Sequence, residues 1–140
     1  MRGLPIGAIA PNFTLLNLEG RTYSFYDSLA CPQILLFIDP YTQACRLAIE
    51  RVSESFHKTK GFGLSICIVS RGDIHVNRKR LTQVAGSIPV LLQKRWEVAQ
   101  NYMIFLVPAM YLVGVDRRIT HEVVVGWKKI ESLLLKLTTP

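Results

Sequence analysis

"FIDPYTQACRLAIERV", residues 37–52, is the stretch on which the fold turns. Its first residues close the apolar run "QILLFI", which reads as a strand buried on both faces. Asp39-Pro40 ends that strand. The apolar residues Ala44, Leu47, Ala48, Val52 and Phe56 then recur at helical spacing, with Ser53, Glu54, Lys58 and Lys60 in polar positions before Gly61. A central strand thus runs directly into an amphipathic helix that carries a cysteine, Cys45, in its first turn.

On the N-terminal side of this unit, "NFTLLNL" and "RTYSFYDSL" read as two short strands around a turn at Glu19-Gly20. On the C-terminal side, "GLSICIVS" is a second buried strand, "IHVNRKRLTQVAG" a short helix ending at Gly86, and "IPVLL" a third strand. "RWEVAQNYM" gives a turn or two of helix. "AMYLVGV" and "ITHEVVVG" read as strands around the turn at Asp116-Arg117-Arg118, and "WKKIESLLLKL" closes the chain as a helix. Strands alternating with helices and followed by a terminal hairpin predict an α/β domain with a mixed central sheet flanked by helices and an N-terminal β-hairpin. No repeat, low-complexity linker or composition shift interrupts the pattern, so residues 1–140 are expected to form one domain.

Composition agrees with that expectation. The chain is 49% apolar and 19% charged, a globular balance. Its longest apolar run, "YMIFLVPAMYLVGV", is shorter than the roughly 20 residues a membrane helix needs and has a proline at its centre, so it reads as core. The N-terminal "MRGLPIGAIAPNF" lacks the apolar segment of a signal peptide. The formal charge of +7 is spread along the sequence without dense basic clusters interleaved with aromatics, so no nucleic-acid partner is expected. The densest group, His75 to Arg80, suits an acidic partner or anionic lipid only weakly. Three cysteines, Cys31, Cys45 and Cys67, form neither a disulfide framework nor a metal-ligand spacing, and no metal or cofactor is expected.

With the elements in this order, specific residues resemble the redoxins, the thioredoxin-like family of thiol-disulfide oxidoreductases and thiol-specific antioxidant peroxidases. "GAIAPNFTL" is similar to the family's Gly-x-x-Ala-Pro-x-Phe-x-Leu opening, and "LEGRTYSFYDSL" to the segment that follows it. "VPAMYLVGVDRRI" resembles the segment with the family's cis-proline, a strand and a hairpin turn. The likeness covers nearly the whole chain and implies a thioredoxin-like fold. Among subgroups it is greatest to the membrane-tethered accessory redoxins, such as that of methylamine dehydrogenase. This implies a membrane tether upstream of the chain and a bacterial extracytoplasmic or membrane-associated location.

The departure from the family lies in "TQAC". Thiol-disulfide members carry Cys-x-x-Cys there, so the resemblance puts Thr42 in the place of the attacking cysteine and Cys45 in that of the second. The dithiol mechanism is thereby lost. Peroxidase members carry Thr-x-x-Cys, which this stretch matches, but their proline precedes the threonine by four residues whereas Pro40 precedes Thr42 by two. Their supporting arginine has no counterpart in the apolar "AMYLVGV".

The residues themselves allow two readings of Cys45. With Thr42 as N-cap, Cys45 falls at the third helical position, at the positive end of the helix dipole, where a thiolate is favoured. Arg46 and, at the end of a neighbouring strand, Arg71 would support it, while the Asp39 carboxylate works against a second negative charge. The other reading is a small buried helix residue. His57, about 18 Å further along the same helix at 1.5 Å per residue, cannot serve as its base; the sequence sets no distance from Cys45 to His75 or His121, and a lone histidine is more often structural or solvated than catalytic. Cys31 lies about 20 Å away along the strand, beyond disulfide reach, and Cys67 reads as inert core. If Val107-Pro108 is cis, as the resemblance implies, Val107 offers a backbone edge to which an extended peptide can add; a trans proline would merely end the preceding helix. The "RGD" at Arg71 to Asp73 reads as a polar loop.

Three functions remain open. One is a thiol-disulfide redox protein with a single active-site cysteine, Cys45, aided by Thr42, Arg46, Asp39 and Pro40 and acting on protein thiols or disulfides. A second is a non-catalytic redoxin scaffold holding a client peptide or partner protein at Val107-Pro108. The third is a peroxiredoxin-like thiol peroxidase.

Overall fold

A computed structural model describes residues 3–140. The first strands are β1 (Thr14–Asn17) and β2 (Thr22–Ser24), paired antiparallel around the turn in which the amide of Gly20 donates to Asn17 O. The strand predicted to run on to Leu29 stops at Ser24, because the buried Phe25 ring turns inward to stack on Phe13 at 5.0 Å and the chain coils into a 3-10 turn, Phe25–Ser28. The strand β3 (Gln33–Ile38), the helix α1 (Gln43–Gly61) and the strand β4 (Ser65–Arg71) follow as expected. The helix α2 (Ile74–Arg80) ends before the predicted Gly86: residues 81–87 continue as turns that deliver Leu81 and Val84 to the core. The strand β5 (Val90–Gln93), the short helix α3 (Glu97–Asn101) and the strand β6 (Ala109–Val113) come next. Of the predicted strand 119–126, only β7 (Val124–Val125) enters the ladder. The backbone groups of Arg117 and Ile119 are bonded to Gly7, Ala8 and Ala10 of the N-terminal segment, and the stretch meets β6 there only through the isolated bridge of Ile119 to Val113 and the Thr120 amide on Leu112 O. Helix α4 (Trp127–Leu137) closes the chain.

The seven strands form one sheet in the order β2-β1-β5-β4-β3-β6-β7. Strands β5, β4 and β3 are parallel, and β1 and β6 flank them antiparallel. This mixed sheet is what the alternation of strand and helix predicts. Because strand side chains alternate between faces, β3 sends Ile34, Leu36 and Ile38 toward α1, α4 and the turns after α2, and sends Leu35 and Phe37 toward the N-terminal segment and α3. Burying the apolar set on both faces makes β3 the centre of the molecule, and each fully buried Leu, Ile or Phe there contributes about 1.5–3 kcal/mol. Tyr111 spans the second face: its hydroxyl accepts from the amide of Leu4 at 2.7 Å and donates to Tyr102 O at 2.6 Å, which ties the N-terminal segment to the sheet. Among the described residues no helix is long and apolar enough to cross a membrane.

Candidate functional site

The carboxyl ends of the parallel strands β3, β4 and β5 meet at one edge of the sheet, where ligand crevices form in such topologies. Asp39 follows β3 and builds the corner. Its Oδ1 accepts from the amides of Tyr41 at 2.7 Å and Thr42 at 2.9 Å, an Asx-type turn that converts strand into helix within three residues. The sequence signal lies in Asp39-Pro40-Tyr41-Thr42, where the strand end is legible but the capping role of the Asp39 carboxylate is not. Thr42 is the N-cap of α1, as predicted, and its Oγ1 accepts from the amide of Cys45 at 3.4 Å. Pro40 is buried behind this turn.

Cys45 is 0% exposed and packs with Ile38, Ala48, Ile49 and Met110 in the core under α1. Its Sγ accepts from the amide of Asp39 at 3.4 Å. Burial raises the thiol above its ordinary value; the Thr42 hydroxyl and the Asp39 amide favour the thiolate but are outweighed, and the Asp39 carboxylate adds to the rise. The sequence could not settle this sign. In the fold, loss of hydration exceeds these two hydrogen bonds, which favours the neutral thiol.

No second thiol is at hand. Cys67 is buried in β4 and pushed up to about 12, as expected of an inert core residue, and Cys31 hydrogen-bonds Ser65 at 2.9 Å on the strand's opposite end. All three cysteines are free. His57 and His75 are exposed on α1 and α2, and His121 pairs with the Thr120 hydroxyl. Among the described residues no cluster of His, Cys, Asp or Glu could hold a metal ion.

Two clefts open on either side of Asp39. One, of about 150 Å³, runs over the start of α1 and is lined by Pro40, Tyr41, Thr42, Arg46 and Arg80. This is where Arg46 points, exposed, so it reaches the helix start from solvent. The other, of about 330 Å³, is lined by Asp39, Trp96, Gln100, Ile104, Leu106 and Val107. The Val107-Pro108 bond is cis, and Val107 stands just before the ladder that β6 begins at Ala109. Phe105 and Leu106 beside it are 72% and 63% exposed, a large apolar surface for so short a segment. These residues escaped the sequence reading because their run looked like continuous core. Trp96 and Tyr41 are not marked by the sequence either: the Arg71 guanidinium lies over both rings, with Cζ 4.7 Å and 5.6 Å from their centres.

The model of the AhpC/TSA family matches residues 6–122. The thiol-disulfide oxidoreductase ResA of Bacillus thuringiensis subsp. konkukian is 25% identical over 138 residues, covering 96% of this chain and 80% of that protein. Among solved structures, the thioredoxin domain of a thiol-disulfide oxidoreductase from Bacteroides vulgatus superposes with a TM-score of 0.82 at 20% identity, over 97% of this chain and 99% of that one. Peroxidoxin BcpB from Mycobacterium tuberculosis superposes with a TM-score of 0.79 at 15% identity, over 96% of each chain. The fold is therefore thioredoxin-like.

Proposed function

Since the chain belongs to the AhpC/TSA family, we propose that it is a redoxin of thiol-disulfide type that binds an extended client segment at Val107 without itself running a dithiol cycle. The observation that carries this reading is the contrast at the site. Cys45 is sealed in the core with its thiol held neutral, while the cleft beside it, lined by Trp96, Leu106 and Val107, stays open. A nucleophile needs an accessible thiolate, and Cys45 offers neither access nor charge. A peptide strand laid along Val107 would gain main-chain hydrogen bonds, and its apolar side chains would enter the cleft. The thiol-disulfide oxidoreductase relatives support clients that are proteins with thiols or disulfides.

A second reading, monothiol exchange through Cys45, draws support from the Asp39 amide that points at Sγ and would stabilise a thiolate once the site opened. One experiment separates the two. Octapeptides selected on the parent protein from a library capped at both ends are titrated by fluorescence against the parent and Cys45→Ala. Binding within twofold in both, and weakened at least tenfold by backbone N-methylation of the peptide, supports strand addition. A tenfold change is about 1.4 kcal/mol. Binding that disappears with Cys45 transfers the function to the thiol, and a library from which nothing is selected rejects the binding reading.

A further inference from the structure

Two of the three parallel strands, β4 and β5, end in polar residues. Arg71, the last residue of β4, is in register with Gln93, the last of β5, and two residues earlier Val69 is in register with both Phe37 and Leu91. Phe37, Val69 and Leu91 all fill the core on the α3 face, so the pleat sends Arg71 and Gln93 to that same face, beside Trp96. Gln93 is wholly buried; its Oε1 accepts from the amides of Val98 and Ala99 at 3.0 and 3.2 Å, and its Nε2 has no partner.

Arg71 is more unusual. Its guanidinium lies against Trp96 and Tyr41, and its Nε is buried without a hydrogen bond. Among the described residues no carboxylate pairs with it: the three close ion pairs all belong to Arg51. The acids on the adjoining segments are engaged elsewhere: Asp73 caps α2 by accepting from the amides of His75 and Val76. Asp39 holds the amides of Tyr41 and Thr42 through Oδ1, and Glu97 accepts from the amide of Arg95 at 2.6 Å. A half-buried cation is costly to leave without a counter-charge. Arg71 itself lines neither cleft, but its guanidinium rests against one ring from the wall of each, Tyr41 and Trp96, and of its nitrogens only Nε is buried without a partner, so a planar donor fork adjoins both walls.

We propose that Arg71 reads an acidic side chain in the client, so that the cleft beside Val107 selects extended segments carrying Asp or Glu over otherwise equal neutral ones. The inference rests on the client-binding reading above. A carboxylate meets the guanidinium in two parallel hydrogen bonds, which gives both charge and geometry. The chain's formal charge of +7 would favour the approach of such a segment.

The test sequences the octapeptides enriched on the parent protein and on Arg71→Gln, then titrates one enriched peptide against its Glu→Gln isostere. Blocked peptide ends exclude terminal carboxylates as the source. We expect Asp or Glu enriched at one position on the parent, at least tenfold weaker binding of the neutral isostere, and a preference that shrinks with added salt. In Arg71→Gln the two peptides should bind within twofold of each other, and Arg71→Lys, which keeps the charge without the fork, should retain only part of the preference. The isostere comparison on the parent needs no variant and stands if Arg71→Gln fails to fold. Peptides that bind without acidic preference overturn this inference and leave the client-binding reading intact, as does a preference that persists in Arg71→Gln for the role of that residue. Absence of any enriched peptide overturns both.

Discussion

At Cys45 two effects of known sign compete, and the structure decides between them. The helix terminus favours the thiolate in principle; burial raises the thiol more strongly than the hydrogen bonds from Thr42 and Asp39 lower it, and its acidity falls. The consequence is measurable by the pH dependence of alkylation in a variant with Cys31 and Cys67 replaced by serine, followed by mass. Cys45 should resist reagent at neutral pH and react with a midpoint above that of the same cysteine in denaturant. A midpoint below the denatured value would mean that the helix terminus wins after all, and peroxide and disulfide substrates should then be tried on this single thiol. Arg71 illustrates the opposite case, a residue whose environment no local pattern displays: its two aromatic neighbours, Tyr41 and Trp96, come from the turn before α1 and the approach to α3, far from it in sequence.

Among the elements, those with a strong period were legible and those held by tertiary contacts were not. The continuous apolar runs of β3, β4 and β6 and the helical spacing of α1 announced themselves, as did the Thr42 cap. The 3-10 turn after Ser24 was read as strand because Phe25 and Tyr26 have strand propensity, and only the packing of Phe25 on Phe13 shows why the chain bends. Likewise the segment from Ile119 has a β-rich composition, but the backbone of Ile119 is bonded to Gly7 and Ala8, and only Val124–Val125 pair with β6 as a strand. The first turn of α1 carries a prediction of its own. Thr42 and Cys45 are three residues apart, neighbours with about 5–6 Å between Cβ atoms on a helix, and a disulfide needs about 3.5–4.5 Å. Thr42→Cys should therefore accept a disulfide with a small adjustment of the exposed cap. With oxidised dithiothreitol as the acceptor of two electrons and two protons, the variant should lose two hydrogens by mass and regain them on reduction, whereas the parent should not change. Failure to form that bond would mean that the likeness to a Cys-x-x-Cys turn is confined to its position in the fold.

For the molecule as a whole, burying thiols and phenols on the two faces of the sheet sets a limit on alkaline stability. Cys67 is fully buried and shifted from 9.0 to about 12 by desolvation; Cys45, Tyr102 and Tyr111 are raised by the same cause. In each case the unfolded chain gives up its proton at a lower pH than the folded one, so above the unfolded value the unfolded state binds fewer protons and stability falls as pH rises. For Cys67 the contribution is complete below about 9 and is lost between there and about 12. At full effect the slope is about 1.4 kcal/mol per pH unit. Tyrosines ordinarily ionise near 10, so between pH 9 and 10 the thiols should dominate. Denaturant unfolding of the parent should show a stability that is flat near neutrality and declines in that interval. Cys67→Ala should begin less stable, because it leaves a small void in the sheet's centre, yet decline less steeply over the same interval. If parent and variant fall in parallel, the alkaline loss belongs to Cys45 and the tyrosines, and the interior around Cys67 admits enough water to hydrate a thiolate.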